Sequence, residues 1–127
     1  MSSIQEPTNL GLSERAHSKL KALAIEKDGH FGQMADAYRF AIALALSSGV
    51  LPDEISGRQN VFGVATIDPE RDLYNAIRTL IDTGEIPVYR WAERLADWGV
   101  MEMARLADEG KLDIGLLIRE AEARSAV

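Results

Sequence analysis

Apolar positions recur at helical spacing through most of this chain. Ala16, Leu20, Leu23 and Ala24 stand at i, i+4, i+7 and i+8, which forms one stripe of an amphipathic helix. Ser13 can cap its first turn, and Asp28-Gly29 ends it, glycine supplying the left-handed residue common at helix ends. A second helix is expected from about Gln33 to Ser47, closed by Ser48-Gly49, with Leu51-Pro52 in a loop. Asp68, Pro69 and Glu70 mark another amino end, and Leu73, Ala76, Ile77, Leu80 and Ile81 keep the spacing until Gly84. Pro87 opens a long helix to about Glu109, with Val88, Trp91, Ala92, Leu95, Ala96, Trp98, Gly99, Met103 and Leu106 on a broad apolar face. Asp113 caps a final helix bearing Ile114, Leu117, Ile118 and Ala121, and Leu112 with Leu117 occupies hydrophobic-staple positions. Two pieces break the helical rhythm. Thr8 to Leu12 reads as extended, and Ser56 to Thr66 fits either a short strand or an ordered loop packed by Phe62.

The pattern therefore predicts an all-α fold. It is a small single-domain helical bundle over residues 1–127, with a short N-terminal extended segment and residues 1–7 disordered. Residues 34–46 (M-A-D-A-Y-R-F-A-I-A-L-A-L) set the tertiary expectation, because only Asp36 and Arg39 interrupt thirteen positions. A helix apolar on every face must be enclosed on every face. That demand predicts a homo-oligomer whose shared core uses Met34, Tyr38, Arg39, Ala41, Ile42 and Ala45. Arg39 needs a partner for its charge, and Asp36 is within helical reach three residues earlier.

Composition narrows the function classes. With 127 residues and 46% hydrophobic content, the chain suits one domain with one modest core. It has no cysteine, so disulfides, thiolate nucleophiles and cysteine metal sites are excluded together. The polar opening M-S-S-I-Q-E-P-T-N does not resemble a secretory signal, and the apolar run is too short for a bilayer, which needs about 20 residues. A cytoplasmic location is expected. His17 and His30 have no neighbours at metal-ligand spacing, and no glycine-rich loop matches a phosphate-binding motif. The expectation is a protein without catalysis, cofactor or metal.

The net charge of −6 is unevenly placed. Up to residue 50, five basic groups balance five acidic ones, and the other nine basic and fifteen acidic groups follow. Any nucleic-acid surface should come from the first half. On the first helix, at about 100° per residue, Arg15 and Lys19 flank one side of the apolar stripe, while His17 and Lys21 flank the other. Trp91 and Trp98, seven residues apart, fit core packing better than base stacking, because Val88 and Leu95 lie beside them.

The extended piece, capped helix, glycine turn and second apolar helix resemble the N-terminal order of ribbon-helix-helix DNA-binding dimers. A more particular resemblance is to the DndE family of DNA sulfur-modification proteins. It is carried by L-S-E-R-A-H-S-K-L-K-A-L (12–23) and Y-R-F-A-I-A-L-A-L (38–46). Further similarity lies in N-V-F-G (60–63), D-L-Y-N-A-I-R (72–78), R-L-A-D-W-G-V (94–100) and L-A-D-E-G-K-L-D (106–113). The resemblance implies a compact helical oligomer associated with phosphorothioate DNA modification or phage defence. Such a protein would bind duplex DNA weakly, perform no sulfur chemistry itself and work beside other proteins of a complex. Arg15, Lys19, Lys21 and Lys27 are the candidate DNA contacts. Two other readings stand beside it: an acidic helical scaffold that touches no nucleic acid, and a ribbon-helix-helix repressor reading bases with paired strands.

Overall fold

The computed structural model describes residues 4–24 and 33–110 of the chain. Lys27, His30, the Asp28-Gly29 turn and the expected final helix after Asp113 lie outside the described residues. In chain order the elements are β1 (Asn9–Ser13), α1 (Glu14–Ala24), α2 (Met34–Ser48), β2 (Arg58–Gly63), α3 (Val64–Ile67), α4 (Asp72–Leu80) and α5 (Val88–Asp108). The fold is α+β and corrects the all-α expectation. β1 and β2 pair antiparallel, with Leu10 opposite Phe62 and Leu12 opposite Gln59. Short strands far apart in sequence give weak local signals, because a two-stranded ribbon is stable only when a helix layer packs against it.

The long helix α5 is the centre of the molecule and packs against α1, α2, α4 and β1. Its buried positions include Val88, Ala92, Leu95, Ala96, Gly99, Val100 and Met103, a face wide enough to receive several elements. The other half of the core comes from Leu10 and Leu12 of β1, Ala16 and Leu20 of α1, and Ala37, Tyr38, Ala41, Ile42 and Ala45 of α2.

The enclosure of α2 departs from what its composition suggests. Tyr38, Ala41, Ile42 and Ala45, expected at a subunit interface, are wholly buried inside the single chain. The opposite side of α2 carries Asp36 and Ala43, both exposed, together with part-exposed Ala35 and Arg39. Alanine counts as apolar in a pattern yet has so little surface that it can face solvent at small cost. One chain therefore does enclose the buried side of this helix.

Glu6, within the segment expected to be disordered, accepts hydrogen bonds from the Val88 and Tyr89 amides at 2.9 Å each. It caps the amino end of α5, which otherwise has unpaired amides. Asp68 caps as expected, but from a distance. Arg71 adopts a left-handed conformation with φ of 64°, so α4 begins only at Asp72. The Asp68 carboxylate reaches forward to the Leu73 and Tyr74 amides at 2.9 Å each and also accepts the Tyr89 hydroxyl proton.

Candidate functional site

α1 presents the basic residues singled out in the sequence, and its geometry follows from its cap. The Ser13 hydroxyl accepts from the Ala16 amide at 3.1 Å, which sets the first turn. Ala16, Leu20 and Leu23 then face the core, leaving Arg15, Ser18 and Lys21 outward and Lys19 half-buried. Arg15 and Lys19 form a ridge between two open grooves. One, of about 510 Å³, runs along Ser13, Glu14 and Ser18 to Ser56 and Gly57. The other, of about 400 Å³, lies against α5 and is lined there by Trp98, Met101, Glu102, Arg105 and Asp108.

The charges on this ridge differ in how they are held. Arg105 is committed to Glu102 and Glu109, and its hydrogen bonds hold the Glu102 carboxyl below the usual carboxylate range. Among the described residues no ion pair neutralises Arg15, Lys19 or Lys21. Lys21 is exposed and lines neither groove, so of the three described candidate DNA contacts the structure brings Arg15 and Lys19 together.

Arg39 sits elsewhere and has a structural role. Its guanidinium binds Asp36 at 2.9 Å and donates to the carbonyls of Ile67 (2.9 Å) and Thr66 (2.7 Å). The ion pair expected with Asp36 is present, and the same fork ties the end of α3 to α2. Met34 is part-buried at the start of α2 and packs on the core cluster. Trp91 is buried, while Trp98 is half-buried in the α1–α5 groove.

A second polar constellation has no counterpart among the residues singled out in the sequence. Glu93, in the second turn of α5, is 2% exposed. It accepts the Gly11 amide at 2.7 Å, the Arg58 Nε–H and the Arg90 guanidinium at 2.9 Å. One turn on, Asp97 accepts the Ser13 amide at 2.8 Å. Two carboxylates at i and i+4 thus take two amides at i and i+2 of β1, and α5 occupies the edge of β1 that faces away from β2. The Gly11 carbonyl accepts the Tyr38 hydroxyl proton at 3.0 Å. Burial, followed by the Glu93 charge, raises the Tyr38 pKa well above its ordinary value.

Glycine is required at position 11. A Cβ there would lie 2.3 Å from the Gln59 carbonyl oxygen and 3.0 Å from the Arg58 guanidinium that crosses to Glu93. The ladder register shifts beside it, between Leu10 and Gly11, as a β-bulge does.

This edge-capping bears on the pairing of β1 that a ribbon-helix-helix dimer uses. Such a dimer pairs β1 with the β1 of a second copy, but here one edge is taken by β2 and the other by Glu93 and Asp97. Comparison with protein-family models, curated proteins and solved structures finds no significant match to this chain. The class that the fold and site define is a small α+β domain with a helix-capped two-stranded ribbon. No group of three or more metal-ligating side chains occurs among the described residues. No described helix is long and apolar enough to cross a membrane.

Proposed function

We propose that this chain is a non-catalytic, cytoplasmic, DndE-like accessory protein of a phosphorothioate-modification or phage-defence system, holding duplex DNA weakly by its phosphate backbone through α1. The observation that carries the reading is the pair Arg15 and Lys19, un-neutralised by any described residue and raised between two open grooves. Cationic side chains, hydroxyls and helix amino ends are the groups that contact nucleic-acid phosphates. Arg15, Lys19, Ser13, Ser18 and Ser56 supply the first two beside the amino end of α1. Glu14 in the same groove and the overall charge of −6 keep the affinity low.

Fluorescence anisotropy with ordinary and phosphorothioate-bearing duplexes tests this at low salt and across a salt series. Binding should weaken linearly in log salt. Arg15→Ala with Lys19→Ala should lower that slope by roughly 0.9 for each phosphate left without its cation. Absence of binding by the unmodified protein at low salt would refute the reading. It would favour the acidic interaction subunit, for which the exposed Leu51 (66%) and Leu80 (65%) are the supporting observation.

A further inference from the structure

The arginines around Glu93 also line a cleft that the DNA reading does not use. This cleft, of about 430 Å³, opens between residues 54–58 and the amino-terminal half of α5. Arg58, Arg90 and Arg94 contribute to its wall. Glu93 supplies one negative charge to both Arg58 and Arg90, so these three side chains together keep one positive charge, although the lining as a whole sets three arginines against Glu54, Glu85 and Glu93.

The hydrogen-bond donors point the same way. Each guanidinium carries five N–H groups. Arg58 uses its Nε–H on Glu93 and one terminal N–H on the Asn9 carbonyl at 3.3 Å. Arg90 uses one terminal nitrogen on Glu93. Arg94 makes no ion pair among the described residues, and its guanidinium carbon lies 5.0 Å from the centre of the Trp91 ring. Arg58 and Arg90 are held by a buried carboxylate, so ligand binding would cost them little side-chain freedom.

The rest of the cleft narrows the ligand. Ile55 and Ile86 give it an apolar wall. Glu54 and Glu85 also line it, both exposed and without an ion pair to these arginines among the described residues. Three carboxylates beside the three arginines disfavour polyanions, while the unspent donors of the arginines admit a single negative charge. The geometry points to a binding site for a small monocarboxylate with a branched apolar stem, its carboxylate on the arginine fork and its stem against Ile55 and Ile86. Guanidinium and carboxylate match as planar, bidentate partners. A cleft of this volume falls in the range of small-molecule sites.

Methyl NMR of the full chain reads the site through Ile55 and Ile86. The probes are 3-methylbutanoate, for a free acid, and N-acetyl-leucine, for a peptide carboxyl end; 3-methylbutanamide is the neutral control. Both acids should shift those methyls saturably in the millimolar range, the tighter one naming the source, and the amide should not. Arg94→Gln, which leaves the Glu93 network untouched, should weaken binding about tenfold, as removal of one charge-assisted hydrogen bond does. Arg90→Lys, which keeps the charge beside Glu93 but removes the fork, should weaken it similarly. Absence of saturable shifts, equal binding of the amide, or unchanged affinity in both variants with native-like spectra would overturn the proposal.

Discussion

Gly99 of α5 lies directly against the backbone of Ala41 in α2: a Cβ at Gly99 would fall 2.1 Å from the Ala41 carbonyl oxygen. Ala37, Ala41 and Ala45 repeat every fourth residue on α2, and α5 carries small residues at Ala92, Ala96 and Gly99, all buried. Small side chains on both helices let the backbones approach closely enough for one chain to cover the helix.

Gly99→Ala should therefore destabilise the protein by about 1–3 kcal/mol, the usual cost of forcing a methyl into a filled core. Denaturant unfolding measures it. A loss below the error of the measurement would mean that the two helices separate freely.

Because the buried side of α2 is enclosed within the chain, the unfolding midpoint should not move across a wide dilution series. A midpoint rising with concentration is the mark of folding coupled to association. Ala41→Glu should abolish folding, since the buried side would receive an unpaired charge. Circular dichroism checks both expectations.

Glu93 and Gly11 act as a unit. Glu93→Gln should cost about 1–3 kcal/mol, because two guanidiniums lose their shared counter-charge while the amide oxygen can still accept one N–H. Gly11→Ala pushes Arg58 away from Glu93 and clashes with Gln59. The double variant should thus lose less than the sum of the single losses. Strict additivity would show that the two residues are independent.

The two buried tyrosines predict a stability loss in alkali. Burial raises Tyr38 and Tyr89 above their ordinary value of 10.0, and the Asp68 hydrogen bond adds to the effect at Tyr89. Above that pH the unfolded phenols lose protons that the folded ones retain, so the unfolded state binds fewer protons and stability falls as pH rises. Below it both states are protonated and the contribution is intact. Tyr38→Phe and Tyr89→Phe should each flatten the alkaline slope of unfolding free energy against pH, which denaturation at several pH values reads directly.

On α1, Glu14→Gln should strengthen DNA binding and Lys21→Ala should change it little, because Glu14 lines the groove with Arg15 and Lys19 whereas Lys21 does not. Anisotropy at fixed low salt distinguishes them. Equal losses for Lys21→Ala and Lys19→Ala would spread the DNA interface over the whole helix.

The longer helices of this protein are written into its sequence, because local spacing and caps specify them, whereas the short α3 falls largely where a strand or loop is expected. The expected Pro87–Glu109 helix is observed at Val88–Asp108, and Asp68 acts as a cap although Arg71 delays the helix it caps. Arg39 and Asp36 were also legible as a pair, being one helical turn apart. The ribbon was not, since Leu10 and Phe62 meet only after two helices intervene and their strands carry almost no alternation. Glu93 was invisible for a similar reason: on the sequence it is one more acid on a helix, and its value comes from Gly11, Arg58 and Arg90 arriving beside it. Residues 34–46 divide the two kinds of information most clearly. Their apolar run determined that a helix would be central to the core. Whether another chain or the same chain would cover it depended on Gly99 and the facing alanines, because close approach belongs to the pairing of two surfaces and cannot be read from either alone.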